Sequence, residues 1–154
     1  MIGSLIIIFS IIYNLTISLF IKNRNILYCG LIGFSGKENF NPEKIGILML
    51  YNDSRGGHST GIWSPEEKQI MVSTGSAASS FLPSFRIKPS NMFIGHTRFA
   101  TMGAHTKENA HPFKYGDVIG AHNGFLTNHL LLCKKYNLDF FRDVDVDSQI
   151  FFML

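Results

Sequence analysis

Hydrophobic and polar positions divide the chain into two unlike stretches. From Met1 to Ile21 no side chain is charged, and Leu5-Ile6-Ile7-Ile8-Phe9-Ser10-Ile11-Ile12 is apolar at all positions but one. Twenty-one residues in a helix reach about 31 Å, the hydrocarbon thickness of a bilayer. Lys22 and Arg24 follow directly, and the positive-inside bias then assigns the remainder to the cytoplasm. Three readings of this stretch stay open: a single-pass membrane anchor over residues 1–21, a removable leader over residues 1–28, or upstream sequence joined to the domain by a mis-assigned start. Asn14, Thr16 and Ser18 interrupt the apolar run, and its Ile, Asn, Lys and Phe richness suits translated AT-rich sequence. A secretory signal peptide fits less well, because no basic n-region and no Ala-x-Ala site is present.

From Cys29 onward the pattern changes to short apolar segments separated by turn residues, as expected of an α+β domain. Cys29–Phe34 predicts a short buried strand bounded by Gly36. Asn41-Pro42-Glu43 predicts a helix start, with Ile45, Leu48 and Met49 at helical spacing and Arg55-Gly56-Gly57 as its end. Strands are expected over Gly61–Trp63, Lys68–Ser73, Asn91–His96 and Asp117–His122, with Asn123-Gly124 turning the chain. Ser73–Ser84 reads as a loop. Thr127 is the expected cap of a helix carrying Leu130, Leu131 and Lys134, and a last helix is expected to start at Asp147.

Composition narrows the function classes. With 154 residues, 45% hydrophobic and 16% charged, the chain builds at most one domain with a real core and is too apolar to be disordered. The net charge is +3 and the 14 Lys and Arg are scattered, so nucleic-acid binding has no electrostatic footprint. Two cysteines, Cys29 and Cys133, make neither a disulfide framework nor a zinc site, and Cys133 reads as core. Six histidines contain no His-x-x-x-His pair, so neither a metal nor a cofactor is expected. Glycosylation patterns at Asn14-Leu-Thr16 and Asn52-Asp-Ser54 carry little weight in a leader and at a helix end.

Polar residues concentrate where core strands should be apolar: at Cys29-Gly30, at Gly95–Gly103 with Asn109-Ala-His-Pro112, and at Ala121-His-Asn-Gly124. Taken singly, a core cysteine, a surface arginine and a hairpin Asn-Gly explain them. Together they resemble the glutaminase domain of class II, N-terminal-nucleophile glutamine amidotransferases, the type found in glucosamine-6-phosphate synthase. The family's Cys-Gly-Ile-x-Gly start appears as Cys29-Gly-Leu-Ile-Gly33 and its Arg-Gly-x-x-Ser-x-Gly as Arg55-Gly-Gly-His-Ser-Thr-Gly61. Gly-His-Thr-Arg-x-Ala-Thr is Gly95–Thr101, Asn-Ala-His-Pro is Asn109–Pro112, His-Asn-Gly is His122–Gly124, and Asp147-Ser148 stands for Asp-Ser/Thr-Glu. The resemblance runs from Cys29 to about Ser148.

That resemblance implies an αββα sandwich over residues 29–154, partial because family domains continue well beyond the Asp-containing segment. It also implies that Cys29 is the nucleophile on the glutamine side-chain amide, with its own α-amino group as base. That amine has a pKa of about 8, close enough to neutrality to shuttle a proton. Asn123 and Gly124 would form the oxyanion hole. Arg98 and Thr101 would bind the substrate α-carboxylate and Asp147 its α-ammonium, while His96 and His111 would support the site. The implied partners are glutamine and a synthase domain or subunit that takes the ammonia, whose acceptor cannot be read. Tyr28 occupies the place of the family's removable initiator Met or propeptide, Met102 that of a histidine found in some members, and Gln149 that of an acidic residue. The alternative function is a non-catalytic remnant or partner-binding fragment of such a domain, tethered to a membrane if the anchor is real.

Overall fold

The computed structural model describes residues 28–138 and 146–153. The expected anchor over residues 1–21 and nearly all of the leader fall outside them. No helix of the described residues is long and apolar enough to cross a membrane.

The described chain is mixed α/β with antiparallel sheets. A four-stranded sheet has the order β1-β4-β2-β3, formed by β1 (Gly30–Phe40), β4 (Ser90–Arg98), β2 (Ser59–Trp63) and β3 (Met71–Thr74). Both neighbours of the central strand β4 run antiparallel to it, with Gly30 opposite Thr97 on one side and Ser59 opposite Arg98 on the other. This register brings the start of β1, the end of β4 and the start of β2 to one edge of the sheet. Side chains alternate across a strand, so adjacent β4 residues feed different cores: Phe93 packs with Ile45, Met49, Ile62 and Phe81, whereas Ile94 packs with Ile119 and Ala121. Helix α1 (Pro42–Asp53) covers the first face. The second meets the hairpin of β5 (Phe113–Tyr115) and β6 (Val118–Gly120), whose far side packs on α4 (Ile150–Met153) through Phe113 and Phe152.

Several expected elements form where local chemistry dictates them. Asn41 caps α1 by accepting the Glu43 N–H at 2.7 Å, Pro42 lies at the first turn, and Ile45 and Met49 are fully buried. Leu48, placed with them by spacing, instead points outward at 37% exposure. Strands β2 and β4 contain their predicted segments, and α4 follows a 3₁₀ turn over Asp147–Gln149.

Other expectations need correction. Strand β1 is neither short nor buried throughout: it passes Gly36 and continues to Phe40, after a register shift beyond Ser35 that lets Phe40 pack on Phe34 and Phe93. Strand β3 begins at Met71, not Lys68, because a turn with the Glu67 N–H on the Ser64 carbonyl occupies the preceding residues. The Ser73–Ser84 segment is ordered. A π-helical turn over Ala77–Phe81 and the short α2 (Leu82–Ser84) are held by the Asp53 carboxylate, which accepts the Ala77 and Ala78 N–H groups at 2.7 and 2.9 Å, and by the buried Ala77 and Phe81. Helix α3 (His129–Tyr136) starts after Thr127: it opens on the bond from the Leu132 N–H to the Asn128 carbonyl at 3.1 Å, which puts Asn128 at the cap position with no side-chain cap. Strand β5 was not foreseen at all, and Asp117–His122 contains only the three-residue β6.

Candidate functional site

The converging strand ends place Cys29 against the backbone just beyond β4. Its Sγ accepts the Phe99 N–H at 3.3 Å and lies 3.4 Å from the Phe99 carbonyl. Its own carbonyl accepts from Asn123 Nδ2 at 2.6 Å and from Arg55 Nε at 3.2 Å. Burial pushes the Cys29 thiol above its ordinary pKa. The Phe99 N–H and the Arg98 and Arg55 charges pull in the opposite direction without cancelling that effect.

Close backbone packing explains two of the glycines in the motifs. A Cβ on Gly30 would lie 2.5 Å from both Asn52 Oδ1 and Thr97 Oγ1, so the residue after Cys29 can nestle between the end of α1 and β4 only without a side chain. A Cβ on Gly56 would lie 2.5 Å from the Arg98 carbonyl carbon and 2.6 Å from the Phe99 nitrogen. Glycine at these positions permits that approach, and the Arg55-Gly56 segment thereby leans on the backbone that holds Cys29.

A cavity of about 230 Å³ opens at Cys29, lined by Tyr28, Phe99, Thr101, Asn123, Gly124 and Phe125. A smaller adjoining recess is bounded by Cys29, Arg98, Thr101, Gly124 and Asp147, together with Met102, His111 and His122. Of the eight residues singled out from the sequence, seven thus border one of these two spaces, and Cys29, Thr101 and Gly124 border both. His96 is the exception. It lies one layer behind, its ring 4.4 Å from that of His111.

Arg98 is only 3% exposed, and its guanidinium donates to the Ala104 carbonyl at 2.9 Å and to the Met102 carbonyl. It therefore holds its own following loop in a turn while facing the recess. Asp147, equally buried, accepts the Leu126 N–H with one oxygen and lies 3.5 Å from the Ser148 hydroxyl with the other. Arg98 and Asp147 bring one cationic and one anionic side chain to the same recess, which suits a zwitterionic ligand. No group of three or more His, Cys, Asp or Glu among the described residues is arranged to hold a metal.

Burial lowers the pKa of the histidines at and behind the recess. Burial, then the Arg98 and His122 charges, drive His96 down to about 3; the His122 backbone opposes this without reaching hydrogen-bond geometry. His111 is pushed well below its usual value by burial first and by the His96 charge next. Neither ring nitrogen of either residue has a hydrogen-bond partner. His122 is lowered by burial and raised by Asp147, and its Nδ1 lies 2.8 Å from the Ser148 hydroxyl.

Arg55, expected as the end of a helix, and Phe99, the unmarked position of its motif, both touch Cys29. Arg55 was detectable from its place in a matched motif. The Phe99 contact is made by main chain and leaves no signal in side-chain identity.

No family model matches the chain. Curated relatives nevertheless place it: the chain belongs to the class II glutamine amidotransferases, matching their N-terminal glutaminase region. The particular proteins it is similar to are glutamine–fructose-6-phosphate aminotransferases (isomerizing). Against that of Listeria monocytogenes it is 35% identical over 130 residues, which is 77% of this chain and 21% of the relative. Against that of Halobacterium salinarum it is 31% identical over 125 residues, 79% of this chain and 20% of the relative. A shorter match to the Gluconobacter oxydans protein of the same name reaches 49% over 47 residues. The chain spans about a fifth of the length of its first two relatives.

Proposed function

We propose that the chain hydrolyses the side-chain amide of glutamine through a γ-glutamyl thioester on Cys29. The observation that carries this reading is the gathering of Cys29, Asn123, Gly124, Thr101, Arg98 and Asp147 around two adjoining spaces at one sheet edge. Cys29 Sγ attacks the amide carbon, its proton passing to the residue's own α-amino group. The C–N bond of the tetrahedral intermediate then breaks as that ammonium returns the proton to the leaving amine, and ammonia departs. Water, deprotonated by the same amine, cleaves the thioester to give glutamate. The Asn123 amide, already aimed at the Cys29 main chain, and the Gly124 N–H stabilise the oxyanion. Arg98 and Thr101 receive the substrate carboxylate and Asp147 its ammonium, with His111 as a neutral brace and His96 behind it. The four layers seen in order, helix α1, the large sheet, the hairpin and α4, support an N-terminal-nucleophile αββα fold.

This chemistry requires Cys29 to be the first residue of the working form. With Tyr28 attached, the nitrogen is an amide that cannot accept a proton, and the Tyr28 side chain lines the cavity glutamine would enter. The working form accordingly begins at Cys29, through a cut after Tyr28 or a translation start near it, and a chain that keeps residues 1–28 is the non-catalytic alternative. The relatives' names describe an aminotransferase acting on fructose 6-phosphate, so the ammonia released here is destined for a separate synthase domain or subunit.

Mass spectrometry of the N-terminus, paired with ammonia release from glutamine, tests the proposal. Protein beginning at Cys29 should release ammonia, and Cys29→Ala in that form should abolish it. Turnover by a chain whose Tyr28–Cys29 bond is intact would overturn the mechanism. Separately, recovery of the chain from cells in the detergent-free supernatant would overturn membrane anchoring through residues 1–21.

A further inference from the structure

His58 grips the segment that holds Cys29 from two points. Its N–H donates to the Arg98 carbonyl at 3.0 Å, and its ring Nδ1 accepts the Ala100 N–H at 2.9 Å. One residue just ahead of β2 thus fixes the main chain on both sides of Phe99. The imidazole also stacks on the Phe99 ring at 4.7 Å and 27°, and on His105 at 4.1 Å and 20°. Phe99, held between these two bonds, directs its own N–H at Cys29 Sγ. His58 itself lines neither cavity.

We infer that His58 is a positioning residue for Cys29: its ring fixes the Phe99–Ala100 peptide by accepting the Ala100 N–H while its main-chain N–H fixes the Arg98–Phe99 peptide through the Arg98 carbonyl, and Phe99 is clamped between the two with its N–H pointing at the sulfur. This rests on the reading of Cys29 as the nucleophile. An N–H donated to sulfur favours the thiolate, the form that attacks. An imidazole accepting at Nδ1 carries its proton on Nε2, so His58 serves only while neutral. Burial, with the neighbouring His105 and Arg98 charges, lowers its pKa and keeps the acceptor lone pair available at neutral pH. The charges facing Cys29 are Arg98 and Arg55, and neither is altered by changing residue 58.

The geometry selects the variants. In His58→Asn the side-chain oxygen is as many bonds from the backbone as Nδ1, so the Ala100 N–H retains a partner. In His58→Gln the oxygen is one bond farther out, and His58→Leu offers no acceptor. The readout is the rate of Cys29 alkylation by iodoacetamide across pH in the full chain, followed by peptide mass spectrometry, with the buried Cys133 as internal reference. His58→Leu and His58→Gln should move the Cys29 titration to higher pH and slow labelling at pH 7 about fivefold or more, while His58→Asn stays within about twofold of the parent. If His58→Leu unfolds, which rapid Cys133 labelling would reveal, the Gln and Asn pair decides alone.

Equal labelling of the Gln and Asn variants, or an unmoved titration in a folded Leu variant, overturns the inference. Alkylation needs neither glutamine nor a free α-amine. If protein beginning at Cys29 releases no ammonia while the full chain shows the expected order of labelling, only the glutaminase reading is lost. If protein beginning at Cys29 releases ammonia while the Cys29 titration of the full-chain variants is unmoved, only the role given to His58 is lost.

Discussion

Two neutral histidines without hydrogen bonds, buried side by side behind the site, should make the fold acid-sensitive. In the native state His96 titrates at about 3, against 6.5 for an ordinary histidine. Between those values the unfolded chain binds a proton that the folded chain refuses, so stability rises with pH and is lost as pH falls from 6.5 towards 3. For His96 alone, going from pH 7 to pH 4.5 removes about 2.5 kcal/mol: the unfolded residue takes up its proton over roughly two pH units below its pKa, at about 1.36 kcal/mol each, while the native residue remains neutral. His111 is shifted in the same direction and adds to the loss. A phenylalanine at position 96 keeps the ring, carries no proton, and leaves no polar partner stranded, since neither ring nitrogen has one. Urea unfolding of the parent and of His96→Phe at both pH values isolates the effect, because every carboxylate contributes equally to the two proteins. The variant should lose about 2–2.5 kcal/mol less than the parent over that interval. An identical pH dependence in the two proteins would refute the claim that His96 is neutral in the fold.

Three further outcomes follow from the geometry. In protein beginning at Cys29, Asn123→Ala removes the amide that reaches the Cys29 carbonyl at 2.6 Å and should lower kcat for glutamine about 10²–10³-fold with a small change in KM, measured by ammonia release. Arg98→Lys replaces a planar fork spanning the Met102 and Ala104 carbonyls with a point charge, and should raise the KM for glutamine about tenfold while exposing the 99–105 loop to faster hydrogen exchange. Gly56→Ala sets a methyl group 2.5 Å from the Arg98 main chain and should cost about 1–3 kcal/mol in urea unfolding; an unchanged midpoint would show that this backbone contact yields freely.

Much of the site was readable because family motifs carry side chains whose chemistry is specific. Cys29, Arg98, Thr101, Asn123, Gly124, Asp147 and His111 all border the two joined spaces. Elements driven by neighbouring residues were equally readable, as with Asn41 and Pro42 at the head of α1. What escaped depends on partners distant in sequence. The π-helical turn over Ala77–Phe81 is capped by Ser76, but its Ala77 and Ala78 N–H groups are held by Asp53, 24 residues away from Ala77, and a Ser- and Ala-rich stretch contains no trace of that carboxylate. Strand β5 has three residues, too few for alternation to show. Helix α3 opens on a main-chain bond, the Leu132 N–H to the Asn128 carbonyl, with no side-chain cap at Asn128, so no capping side chain marks its start.

The same distinction explains why polar residues crowd the end of β4. As an interior strand it is buried on both faces from Phe93 onward, and its middle obeys that constraint with Phe93 and Ile94. His96, Thr97 and Arg98 break it, and a buried polar group without a partner typically costs a kilocalorie or more, about 1–3 kcal/mol. Thr97 meets the Asn52 carbonyl at 2.9 Å and Arg98 the carbonyls of its own loop. Each of these partners belongs to backbone that also shapes the site: Asn52 flanks Gly30, and the Arg98 loop carries Thr101. Thr97 and Arg98 are thus compatible with a folded core because their hydrogen bonds hold the cavity walls, whereas the His96 ring stays buried without a hydrogen-bond partner and with its pKa driven down. Residues that local patterning would reject are retained where they tie the ends of α1, β1 and β2 around Cys29.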